Sequence, residues 1–262
     1  MDTSFIKSYY DSYDEEGRLL SQHGQVEYRT TMRYLNRYLA PGMRILEVGA
    51  GTGRYSLALA HAGYEVDALE LVESNLEKLR AGIASTDRIT ARQGNALDLG
   101  CYANETFDMT LVLGPMYHLY SDGDKLQVLR EALRVTRPGG TIFVAYCMND
   151  PTVIHFSFIG GHLQECLDKH MLTEDYHCIS KPQDLFELVR TEDIARLDSQ
   201  LPVERLGLIA TDGATNYLRP LIDSMDEATF QRWLDYHFHI CERQDLIGAS
   251  HHTLDILRKP TP

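Results

Sequence analysis

At 262 residues the chain is long enough for one large domain or a core domain with an added lobe, and 44% hydrophobic with 24% charged residues places it among globular proteins that bury a sizeable core. A formal net charge of −13 with no basic stripe argues against general DNA or RNA binding. The five cysteines (Cys101, Cys147, Cys166, Cys178, Cys241) form no C-x-x-C pair or zinc spacing, the N-terminus has no apolar signal core, and no apolar run approaches membrane-spanning length; the expectation is a cytoplasmic protein with reduced thiols, no metal and no membrane.

Residues 1 to about 40 read as a helical cap. Tyr9, Tyr10 and Tyr13 stand near its start, and "VEYRTTMRYLNRYLA" places apolar and aromatic residues at helical spacing until Pro41-Gly42 stops it. From there α and β signals alternate. A short buried strand over 45–48 leads through a glycine turn into a helix over 53–62. "EVDALEL" gives the next strand, "VESNLEKLRAGI" a helix, "ITARQGN" a strand ending in a polar turn, and "FDMTLVLGP" a continuous apolar run suited to a buried parallel strand. A helix over 124–136 then meets "RPGG", read as a turn before the strand "TIFVAYC". Such alternation predicts an α/β fold, a mostly parallel sheet covered by helices on both faces.

The alternation ends near Asn149. Residues 150–203 hold helix-like segments with many aromatics and histidines, and are read as a helical insertion. "ERLGLIATDG" then reads as a strand, "DEATFQRWLDYHFHICER" as a helix and "HHTLDILRK" as the last strand. The segments are therefore a cap (1–40), a core (41–149), an insertion (150–203) and closing elements of the core (204–262).

The loop Gly49-Ala50-Gly51-Thr52-Gly53-Arg54 sits between a strand and a helix, where backbone N–H groups and a helix N-terminus can face a nucleotide-like ligand. The dinucleotide fingerprint G-x-G-x-x-G fails here, because Arg54 stands where its third glycine should be. Glu70 ends the next strand, about 20 residues from the first glycine, where a carboxylate can accept hydrogen bonds from two ribose hydroxyls. On spacing alone it reads equally well as a surface glutamate.

"LEVGAGTGRYS", "ALEL", "QGNALDL", "FDMTLVLGPMYHL" and "LRVTRPGGTIFVAY" together resemble the class I, Rossmann-like S-adenosylmethionine-dependent methyltransferases, in that family's order, over residues 43–147. The resemblance implies a doubly wound seven-stranded sheet, S-adenosyl-L-methionine as cofactor and methyl transfer. It implies that Glu47 orients the glycine loop, that Gly49, Ala50 and Gly51 pass under the methionine part and ribose, and that Glu70 holds the ribose hydroxyls with Leu71 against the adenine. Asn95 and Ala96 would meet the adenine edge, although the family often has Asp where Asn95 stands. Leu113 and Gly114 would close the cofactor floor, and Tyr10 would cover the cofactor. Arg54 is left between two readings, a partner for the cofactor carboxylate or a side chain facing solvent.

A sulfonium methyl is already activated, so the enzyme has chiefly to align the acceptor, exclude water and, for a hydroxyl or thiol, supply a base. Tyr117 and His118 of "GPMYHLYSD" are the catalytic candidates; the competing reading of His118 is a structural histidine bonding a backbone group. Asp235 and His239 share a helix face but lack a third metal ligand. "VIHFSFIGGHL" mixes aromatic and polar groups and is read as a wall of the acceptor site. The leading expectation is methyl transfer to a small, partly apolar molecule, with no nucleic-acid partner and the oligomeric state open. The alternatives are a methyltransferase acting on RNA or protein, a dinucleotide-dependent oxidoreductase and a non-catalytic cofactor-binding protein.

Overall fold

The computed structural model describes residues 4–10, 17 and 20–261. Tyr13, named above as part of the cap, lies outside these residues. Ahead of the sheet the described residues include the helices α1 (Ser4–Tyr10) and α2 (Gln22–Tyr38). Ser21 caps α2 by accepting the Gly24 N–H, and Val26, Tyr34 and Leu35 bury one face of it.

The central sheet runs β1 (Arg44–Val48), β2 (Glu65–Glu70), β3 (Ile89–Gln93), β4 (Phe107–Val112), β5 (Thr136–Met148), β6 (Leu188–Val189), β7 (Glu204–Ala210) and β8 (His252–Arg258). The strand order is β3-β2-β1-β4-β5-β8-β7, with β6 paired separately to β5. Strands β1 to β5 pair in parallel, and β8 lies antiparallel between β5 and β7. Crossover helices α3 (Arg54–His61), α4 (Glu73–Ala81) and α5 (Asp122–Val135) cover the parallel part. β4 is buried at every position, as a central parallel strand requires. The expected α/β architecture is therefore present.

Three local readings need correction. The expected turn at "RPGG" lies inside β5, which begins at Thr136. Pairing jumps from Phe107 opposite Thr136 to Met109 opposite Thr141, so the residues between them bulge out. Gly139 takes φ +77 there, and Lys259 exchanges backbone hydrogen bonds with Gly139 and Gly140. The insertion is not wholly helical either. β5 outruns β4, whose last partner is Val144, and the edge left at Cys147 and Met148 is taken by Leu188 and Val189 as an eighth, two-residue strand. Finally, "ERLGLIATDG" leaves the sheet after Ala210, because the Asp212 carboxylate turns to Ser250 and His252.

Candidate active site

The loops after β1, β2, β3 and β4 meet outside the carboxyl ends of the strands, where open α/β sheets bind their ligands. One cavity there is lined by Tyr10, Glu47, Gly49, Ala50, Gly51, Glu70, Leu71, Asn95, Ala96, Leu113 and Gly114, every residue named above for cofactor binding. Tyr117, His118 and Arg54 line it too.

The glycine loop shows why these positions tolerate nothing larger. Gly49 has φ +74, and a Cβ on it would come 2.7 Å from the ring of Pro115. Gly51 has φ +55 and nothing within 4 Å of its absent Cβ, so this part of the backbone stands open to the cavity. Gly53 has φ +90 and packs against Leu79, which lets the loop enter α3.

Glu70 is buried and holds the loop in shape. One carboxylate oxygen accepts the Gly51 N–H at 2.7 Å and the other the Val72 N–H at 2.8 Å. The Leu71 N–H and the Asn75 side chain also act on this carboxylate. Burial raises its pKa against these hydrogen bonds. Glu47, also buried, accepts from the Ser56 hydroxyl, and burial with the nearby Glu70 charge pushes it up to about 8. Asn95 spends one side-chain oxygen lone pair on the Leu97 N–H at 3.0 Å and keeps its amide donors.

Arg54 is half-buried. Its guanidinium lies 4.3 Å from the centroid of Tyr28, and its buried Nε has no hydrogen-bond partner. A buried, unpartnered guanidinium nitrogen beside the glycine loop is a place for a ligand carboxylate.

Pro115–His118 forms a single 3₁₀ turn after β4. Both ring nitrogens of His118 are engaged: Nδ1 lies 2.8 Å from the Leu185 carbonyl and Nε2 3.1 Å from the Tyr10 hydroxyl. The carbonyl can only accept, so Nδ1 carries the proton and Nε2 accepts from Tyr10. Burial lowers the His118 pKa and keeps the ring neutral. Leu185 has φ +69, a strained position for leucine, and its carbonyl also accepts the Tyr120 hydroxyl at 2.7 Å. Further on, Glu187 N–H donates to Tyr117 O and the Glu187 carboxylate pairs with Lys125. The insertion is thus tied to the loop that carries Tyr117 and His118.

A second cavity of about 650 Å³ adjoins the first and shares Tyr10 and Tyr117 with it. Its apolar walls come from Tyr9, Val153, Phe156, Met171, Leu172 and Phe186, and its polar groups from Ser157, Lys169, Arg219 and His252 among others. Val153, Phe156 and Ser157 of "VIHFSFIGGHL" reach this cavity, whereas Phe158 and Ile159 are exposed. Asp235 and His239 are exposed, with the His239 ring bonded to the Asp235 carbonyl. Among the described residues no third ligand joins them; the one cluster with metal-ligand composition is Glu27, Asp212 and His252. No helix among the described residues is long and apolar enough to cross a membrane.

Sequence reasoning missed Glu27, Asp212 and His252. Glu27 sits mid-helix, and the other two flank a closing strand pair, so only the fold brings them together.

The family profile described as "Methyltransferase domain" matches residues 45–140. A ubiquinone biosynthesis O-methyltransferase of Xanthomonas campestris pv. campestris is 27% identical over 164 residues, covering 62% of this chain and 66% of that protein. A demethylmenaquinone methyltransferase of Halalkalibacterium halodurans is 33% identical over 151 residues, covering 55% and 58%. The chain thus spans less than two thirds of the length of either relative. A Thermotoga maritima structure described as a S-adenosylmethionine-dependent methyltransferase, possible histamine N-methyltransferase, superposes with a TM-score of 0.61 over 98% of this chain and 100% of that one, at 18% identity, a likeness of fold. Residues 45–140 thus match the methyltransferase-domain profile, and the sheet with its crossover helices has the fold of the Thermotoga maritima structure.

Proposed function

We propose that the protein is an S-adenosylmethionine-dependent methyltransferase whose acceptor is a small, partly apolar molecule. The observation that carries the reading is the convergence of four separate strand-end loops on one cavity with a carboxylate at the end of β2. In this reading the cofactor supplies an activated methyl group on a sulfonium. Glu70 holds the ribose hydroxyls, Leu71, Asn95 and Ala96 the adenine, and the backbone of Gly49, Ala50 and Gly51 lets the ligand approach closely. Glu47 braces the start of α3 through Ser56, Arg54 takes the carboxylate, and Leu113 with Gly114 closes the floor. A buried carboxylate at Glu70, beside the glycine loop, disfavours the negative charge of a pyrophosphate. That argues against the dinucleotide alternative, as does Arg54 in the place of the missing glycine.

His118 serves as a positioning residue: it anchors Tyr10 over the cavity and leaves neither ring nitrogen free for a proton from the acceptor. Tyr117, which lines both cavities, meets the acceptor at their junction. The second cavity, which mixes apolar walls with polar and charged groups, suits a small, partly apolar acceptor, and the two relatives named for ubiquinone and demethylmenaquinone chemistry support that class. The acidic net charge fits a small-molecule acceptor better than RNA, and the reading includes a cytoplasmic location.

Calorimetric titration with S-adenosylmethionine and separately with NAD tests the cofactor assignment. Binding of S-adenosylmethionine alone is expected; binding of NAD alone would overturn it.

A further inference from the structure

One titratable cluster lies outside these assignments, where α2, the turn after β7 and the start of β8 meet. The Asp212 carboxylate is surrounded by donors. Ser250 Oγ lies 2.6 Å from Oδ1, which also accepts the His252 backbone N–H at 3.1 Å. His252 Nδ1 lies 2.7 Å from Oδ2, which also accepts from the Asn216 amide. Glu27 Oε2 stands 3.6 Å from the same imidazole nitrogen. Burial opposes charge on all of these groups, yet the carboxylates outweigh it at His252 and hold its pKa well above the ordinary value. The other titratable neighbours are Cys147 on β5, paired across the sheet with His252; Tyr117, in ring contact with His252; His237 and Tyr217, which feel the Asp212 charge; and His251, pushed down by burial to about 4 and in ring contact with His155 and Tyr217.

Two carboxylates and an imidazole this close invite a metal reading. The hydrogen bonds answer it. Four donors fill the four lone-pair sites of Asp212, and 2.7 Å between Nδ1 and Oδ2 is the distance of a shared proton. The cluster is organised around a proton.

Its place in the molecule gives the proton a use. Glu27 lines the first cavity, His252 the second and Tyr117 both, with the Tyr117 ring 5.9 Å from the imidazole. Nδ1 is held by Asp212, which leaves Nε2, on the opposite side of the ring, as the imidazole nitrogen that can serve the second cavity, which His252 lines. A fixed donor therefore stands beside the junction of the two cavities.

We propose that His252 binds the reacting oxygen of the methyl acceptor through Nε2–H, that this oxygen belongs to an acidic hydroxyl of phenol or enol type held as its anion, and that Asp212 and Glu27 are the positioning residues. The inference rests on the methyltransferase reading and names the acceptor class for the same site. The hydroxyl proton leaves to solvent on binding, because the imidazolium already carries both of its own. A neutral amine has a single lone pair, and spending it on Nε2–H leaves none to attack the methyl group, whereas an oxygen anion keeps others, so the site selects against the amine.

The test uses 4-nitrophenol, whose anion absorbs at longer wavelength than the neutral form, with 4-nitroaniline as the uncharged control. Both are titrated into protein saturated with S-adenosylhomocysteine, at a pH where free 4-nitrophenol is mostly neutral. The bound phenol is expected to show the anion band and to bind about 10-fold or more tightly than the aniline. His252→Gln should lose both the band and the preference while S-adenosylhomocysteine affinity stays within about twofold. Nitrogen-15 imidazole shifts of the unmodified protein need no variant, and should show His252 doubly protonated at neutral pH. A singly protonated ring, an absent anion band, equal affinity for the two probes or binding of neither would overturn the inference. Failure of S-adenosylhomocysteine to bind in the first step would overturn the methyltransferase reading, and this inference with it.

Discussion

The two cavities share Tyr10 and Tyr117 but are built in opposite ways. The cofactor cavity is made of strand-end loops, each a few residues long and each following a buried strand of the parallel sheet. Its walls are largely loop backbone, whose glycine-loop amides are spent on Leu69 and Glu70, together with the carboxylates Glu47 and Glu70. The second cavity is assembled from α1, the 3₁₀ turn after β4, the insertion, Arg219 and the start of β8, regions far apart in the chain. A site built from local turns has a geometry that each loop sets by itself. A site built from distant side chains exists only once the sheet has brought them together. Substitutions in the first should act on cofactor affinity alone, and those in the second on the acceptor alone.

The sharpest separation is expected at Glu70. Glu70→Ala removes a charged acceptor for two ribose hydroxyls and frees the Gly51 and Val72 amides. Hydrogen bonds to charged groups contribute about 1.5–3 kcal/mol each, so S-adenosylhomocysteine affinity should fall by about 100-fold or more. Calorimetry that finds unchanged affinity would sink the assignment.

Glu47 should show itself in stability. With the folded-state pKa at about 8 against an ordinary 4.5, the folded protein keeps a proton that the unfolded chain has released across that interval. Stability from this group is therefore full below about pH 4.5 and is lost as pH rises to about 8, by on the order of 5 kcal/mol. Melting temperatures of Glu47→Gln should lack that decline; a parallel decline in variant and parent would remove Glu47 as its source.

On the acceptor side, Phe186 packs against the rings of Tyr9 and His118 at 5.8 and 5.6 Å and lines only the second cavity. Phe186→Ala should weaken 4-nitrophenol binding roughly tenfold while S-adenosylhomocysteine affinity stays within about twofold. Equal losses for both ligands would mean that the cavities do not act separately.

Tyr10 joins the two regions and should give the smallest effect. α1 buries Ile6 and donates the Tyr10 hydroxyl to His118, which fits a lid over the cofactor. Tyr10→Phe removes one neutral hydrogen bond of about 1 kcal/mol, so S-adenosylhomocysteine should bind roughly fivefold less tightly. Protease cleavage between residues 8 and 24 should slow in the parent when this ligand is bound; equal rates with and without it would count against a lid.

The same contrast explains what could be read from the sequence. Strands β1 to β4 and their crossover helices were legible because each is a local pattern: a buried apolar run, a turn and an amphipathic helix. The glycine loop and Glu70 were legible through spacing along one strand-turn-helix unit. The path of β5 through "RPGG" was not, because it depends on a bulge stabilised by Lys259 from the far end of the chain. Nor was β6, which exists only because β5 outruns β4. His118 was found by its place after β4, but its engagement depends on Leu185, 67 residues away. Glu27, Asp212 and His252 carried no local signal, since each looks alone like an ordinary helix, turn or strand residue.

The central claim is that the first cavity binds S-adenosylmethionine and the second a small acceptor that receives its methyl group. The most direct test follows the methyl label from radiolabelled S-adenosylmethionine into a metabolite extract, in parallel with RNA and protein fractions from the same cells. The account predicts label in a small, partly apolar metabolite, and less of it with Glu70→Ala. Label confined to RNA or protein, or no transfer to any fraction by an enzyme that binds S-adenosylmethionine, would contradict it.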